Sequence, residues 1–93
     1  MATLSNLCVW EVPLRTEPGE MTIQAPRGSE FLHVEEKEGL PYLWMMGDLS
    51  QPRASRTLIL AQNGGMLPVY TGAYIGTARL TDAFYLNIFE AKH

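Results

Sequence analysis

The sequence predicts an all-β fold, a compact antiparallel sheet, sandwich or partly closed barrel of six to seven short strands. Three observations carry that expectation. Apolar residues recur with a period of two in short segments, turn-forming Pro and Gly pairs separate those segments, and no window shows the spacing of an amphipathic helix or a heptad.

The first segment places Cys8, Trp10, Val12 and Leu14 on one side and Glu11 on the other, a strand that ends near Pro13. Pro18-Gly19 turns the chain, and Met21, Ile23 and Ala25 then alternate with Thr22 and Gln24 as a second strand. After Pro26-Arg27-Gly28-Ser29, residues 31–35 supply the β-branched and aromatic content of a third. Lys37-Glu38-Gly39 is the loop of a hairpin that pairs it with a fourth strand at residues 40–46. That strand is apolar at both parities, so it is expected to be covered on two faces, with Trp44 in the core. Residues 47–55 read as a polar connector and residues 57–61 as the fifth strand. Residues 64–72 hold three glycines and Pro68 around Met66, Leu67, Val69 and Tyr70, which reads as a loop with apolar side chains to place. Residues 74–80 and 83–89 are the last two strands, reversed at Thr81-Asp82.

A chain of 93 residues, 46% hydrophobic and 18% charged, is expected to form one domain over residues 1–93. A domain of this size buries only about 60–65% of the surface its unfolded chain exposes, so a subunit interface would add needed burial. The formal charge of −3 disfavours a broad grip on nucleic-acid phosphates. Cys8 is the sole cysteine, which excludes an intrachain disulfide and a multi-cysteine zinc site and suits a reducing compartment. With neither a signal-like start nor a long apolar run, a cytoplasmic location is expected, in the host cytoplasm if the chain is phage-encoded.

Five short motifs, Val9-Trp10-Glu11-Val12-Pro13-Leu14, Ala25-Pro26-Arg27-Gly28-Ser29, Leu40-Pro41-Tyr42-Leu43-Trp44, Tyr74-Ile75-Gly76-Thr77 and Leu86-Asn87-Ile88-Phe89-Glu90, follow one another over most of the chain. In order and spacing they resemble a family of small uncharacterised proteins of bacteriophages and prophages. The resemblance implies a phage context and supplies no mechanism. Residues 63–73 depart from the family's pattern, in which a polar loop with a Gly-His pair is common.

Catalytic chemistry finds little to build on. His33 has only the terminal His93 for a histidine companion, and a lone strand histidine is commonly a surface or satisfied residue. Cys8 shares the parity of Trp10 and Val12, the position of a small core residue rather than a nucleophile. Glu35, Glu36 and Glu38 crowd the hairpin around Lys37 as a solvated tip, and Gly64-Gly65 lacks the lysine and helix of a phosphate loop. No catalytic residue, metal ligand or cofactor is expected.

Two groupings suit binding. Arg53 and Arg56 flank Ser55, and guanidinium groups with a hydroxyl match phosphate or carboxylate oxygens, although solvated arginines on a connector are the plainer account. Tyr70 and Tyr74 bracket the Gly-rich segment and offer stacking faces for a nucleotide base, with Met66 and Leu67 as lining. The favoured account of that segment is an apolar loop over the end of the sheet or a subunit interface. Met66, Leu67, Val69 and Tyr70 are accordingly the candidate contacts of a homo-oligomer, a dimer or higher. The expected function is non-catalytic. It is that of a phage-type accessory protein that binds stoichiometrically and antagonises a host anti-phage defence pathway, through a host protein or by sequestering a small anionic, nucleotide-like signal. The alternative is a small structural component of the virion or its assembly.

Overall fold

The computed structural model describes residues 4–92 and contains, among them, seven strands and no helix. They are β1 (Leu7–Pro13), β2 (Gly19–Pro26), β3 (Glu30–Lys37), β4 (Leu40–Asp48), β5 (Arg53–Gln62), β6 (Thr71–Arg79) and β7 (Tyr85–Ala91). All pairings are antiparallel, in a three-stranded sheet of order β1-β4-β3 and a four-stranded sheet of order β2-β5-β7-β6. The all-β expectation is met by the sandwich arrangement, since the two sheets do not join into a closed barrel.

Side-chain alternation decides which face of each sheet is dry. From the smaller sheet, Leu43 and Met45 are fully buried, flanked by Trp10, Val12, Phe31 and Val34. The larger sheet answers with Ile23, Ala25, Leu58, Leu60, Leu86 and Ile88, which complete one apolar cluster between the layers. At one side the layers nearly touch: a Cβ on Gly76 of β6 would lie 2.9 Å from Val34 Cγ2 and 3.2 Å from the Val34 backbone nitrogen on β3. A side chain at that position has no room.

The hairpin anticipated at Lys37-Glu38-Gly39 is present. Glu38 and Gly39 both adopt left-handed backbone, with φ of 55° and 80°, as a two-residue reversal between right-twisted strands requires.

Two expectations are corrected. β4 is not covered on both faces, because only Pro41, Leu43, Met45 and Gly47 point inward while Tyr42, Trp44 and Met46 form the outer face. Trp44 is therefore not a core residue. It can sit outside because its indole N–H donates to Glu35 Oε2 at 2.8 Å and its ring stacks on His33 at 5.9 Å between centroids. The second correction is the connector at residues 47–55, since β5 begins at Arg53 and the polar residues Arg53, Ser55 and Thr57 occupy its solvent-facing parity.

Candidate interaction surface

Residues 63–70 leave the end of β5 and return at β6, skipping the position that β7 fills between them. Gly64, with φ of 83°, makes the first turn and lets the Gly65 N–H donate to Gln62 O at 3.0 Å. At the far end the Thr71 N–H and hydroxyl both donate to Pro68 O, at 3.0 and 2.6 Å. The Lys92 N–H donates to Tyr70 O at 2.7 Å, which fixes the Tyr70 backbone beside the end of β7. The Tyr70 side chain runs the other way, and its hydroxyl donates to Glu20 Oε1 on β2. It thus straps the outer face of the larger sheet across β5. That hydrogen bond, made by the protonated phenol to a carboxylate, holds the Tyr70 pKa above its ordinary value.

The loop borders a cavity at one outward-facing apolar residue and displays two apolar residues of its own. Ile59 lies opposite Phe89 on the outer face yet is only 3% exposed, sharing a cavity wall with Met66 and Pro68. Met66 and Val69 are 96% and 98% exposed, so the anchored loop holds their side chains in water rather than against the sheet. Beside the Tyr70 strap runs an open groove of about 310 Å³ lined by Glu20, Thr22, Ser55, Thr57, Tyr70 and Lys92.

The five residues proposed for an anion or nucleotide site do not converge on one cleft. Arg53 and Ser55 face outward, engaged with Gln24: the Arg53 guanidinium donates to its backbone oxygen at 3.0 Å, and its amide nitrogen donates to the Ser55 hydroxyl at 2.6 Å. Arg56 has the opposite parity and points between the sheets, where it binds Glu90 at 2.7 and 2.8 Å. The period of two separates two arginines three positions apart, which corrects the connector reading. Tyr74 packs edge-on to Phe89 at 5.4 Å and shares a hydrogen bond of 2.6 Å with the Thr77 hydroxyl, away from Tyr70. Arg56 and Tyr74 line one cleft, of about 450 Å³, Ser55 and Tyr70 a second, and Ser55 and Arg56 a third, of about 280 Å³, so no cleft gathers the set.

Cys8 and His33 stand on opposite faces of the smaller sheet with β4 between their strands, so the thiol and the imidazole do not meet. Among the described residues no group of three or more His, Cys, Asp or Glu side chains is placed to hold a metal ion. Sequence reasoning missed the outer face of the smaller sheet, where Lys37 Nζ binds Glu11 at 2.7 Å and lies 4.6 Å from the centre of the Tyr42 ring. The available signal was the amphipathic character of Tyr42 and Trp44, which leaves aromatic residues free to line a wet face.

A family model described as Domain of unknown function (DUF7352) matches residues 6–93. No curated protein and no solved structure gave a match.

Proposed function

We propose that this chain, which belongs to the DUF7352 family, is a non-catalytic binding protein whose recognition element is the strapped loop at residues 63–70. The observation that carries the reading is the full exposure of Met66 and Val69 on backbone tied down at both ends. Apolar groups displayed by an ordered loop bind without the entropic cost of ordering it, and Met and aromatic residues are types enriched in protein interfaces. The partner is another protein, in the phage context a component of a host defence pathway. The small-anion version has less support, because the guanidinium of Arg56 is already committed to Glu90.

Wild type and a Met66→Glu/Val69→Glu variant serve as parallel baits in bacterial lysate. The retained protein is then purified and titrated with both by calorimetry. One-to-one binding that weakens roughly 100-fold or more in the variant is the expected result, since each carboxylate enters an apolar contact unpaired. A partner held equally by both baits refutes the loop. A nucleotide-sized mass adduct in native mass spectrometry, with no protein partner, replaces this reading with sequestration.

A further inference from the structure

We infer that β1 is a docking strand for a second copy of this chain, pairing with its own copy about a two-fold axis through Val9. One step beyond each end of the β1–β4 register, the Leu49 N–H donates to Asn6 O and the Leu14 N–H to Pro41 O, both at 2.9 Å. Bonded and non-bonded pairs alternate along an antiparallel ladder, so the even-numbered residues of β1 turn their backbone groups toward β4. Leu7, Val9 and Glu11 turn theirs away. Local stand-ins agree: the Leu7 N–H donates to the Ser5 hydroxyl at 3.2 Å and, among the described residues, Val9 O receives the Cys8 thiol at 3.6 Å.

The other three edges are guarded. β3 carries a bulge between Phe31 and His33, and β6 carries two register shifts. On β2 the same counting puts the Gln24 carbonyl on the free edge, and the Arg53 guanidinium caps it. β1 pairs with β4 through seven residues without a shift. Its one charged residue, Glu11, is drawn back over its own sheet to Lys37 Nζ at 2.7 and 2.9 Å. Leu7 and Val9 are left half-exposed beside each other on the outer face.

The two-fold arrangement suits these residues. Val9 meets Val9 of the copy, and Leu7 meets Glu11 of the copy. Both backbone groups of all three residues find partners, and the two Glu11 carboxylates stand at opposite ends, each with its own Lys37. Pro13, which lacks an N–H, falls outside the paired stretch. The result is a six-stranded sheet running through both copies, and it does not depend on the role of the loop.

Sedimentation over a wide concentration range, with amide hydrogen exchange on the same samples, tests the inference. The mass is expected to rise from 10.4 kDa toward twice that value. Protection of the Val9 and Glu11 amides should grow with the dimer fraction, while the Trp10 and Val12 amides are protected throughout. Val9→Lys, checked for an unchanged fold by circular dichroism, should weaken association roughly tenfold or more, and Met66→Glu should not. A mass fixed at the monomer value overturns the inference. So does a dimer whose Val9 and Glu11 amides stay fast, or one that survives Val9→Lys and is lost in Met66→Glu.

Discussion

Arg56 and Phe31 meet across the gap between the sheets, the guanidinium carbon lying 4.2 Å from the ring centroid. The same guanidinium binds both oxygens of Glu90 and donates to the backbone oxygen of Ser29. One side chain thus ties β5 to β7 and to the segment that enters β3.

Arg56→Ala should therefore lower stability by about 2–4 kcal/mol, because it strands a largely covered carboxylate as well as removing the bridge. Arg56→Lys should recover less than half of the loss, since an ammonium cannot reproduce a two-pronged contact or the planar stacking on Phe31. Arg53→Ala, which removes only an exposed contact, should stay within about 0.5 kcal/mol. Urea unfolding of the three variants checks the order. Equal effects for Arg53 and Arg56 would show that the cross-sheet contact contributes nothing.

Neighbouring positions on β4 should behave oppositely. Leu43 is fully buried, and Leu43→Ala should cost about 2–5 kcal/mol through lost transfer energy and the cavity left behind. Trp44→Ala removes the larger side chain yet should cost only about 1–2 kcal/mol, because the indole is part-covered and loses chiefly its contacts with His33 and Glu35. Thermal melts of the two variants decide it. A larger loss at Trp44 would place it in the core after all.

That contrast shows where sequence reading stops. The strands, the Glu38-Gly39 reversal and a loop after β5 were legible because periodicity and turn chemistry are local, although that loop was expected over residues 64–72 and β6 already begins at Thr71. Which parity of β4 faces the core was not, since Tyr42, Trp44 and Met46 are as apolar as Leu43 and Met45. The choice rests on Glu35, His33 and Lys37 of β3, which provide polar company for the aromatic rings on one face alone. Arg56 failed for a similar reason. Its carboxylate partner lies 34 positions away, and no local pattern indicates that an arginine on a β-strand will turn inward.

Gly76 should tolerate no side chain. Gly76→Ala presses a methyl group against Val34, side chain and backbone, and should cost about 1–3 kcal/mol as an overpacked contact. Val34→Ala frees part of that space, so the double variant should lose less than the two single losses added together. A double-mutant cycle of melting data measures this coupling, and additive losses would mean that the sheets do not touch there.

The Tyr70 strap should release at alkaline pH before the core responds. Its hydrogen bond to Glu20 raises the Tyr70 pKa above 10.0, so the protonated form is favoured in the folded state. A raised pKa contributes stability that is complete below the unfolded value and is lost as pH rises through the folded one. The Lys37 pKa is raised above 10.5 by its hydrogen bond to Glu11, and its contribution is lost in the same direction. The two groups lie on different sheets, so local probes separate them. Amide exchange in residues 63–70 should accelerate as the tyrosinate absorbance grows, with amides of β4 and β7 still protected. Tyr70→Phe cannot donate to Glu20 and should show fast loop exchange already at neutral pH, with no further alkaline step in the loop. If loop exchange in the variant matches wild type at neutral pH, the Pro68 and Lys92 contacts hold the loop alone, and Tyr70 is not its strap.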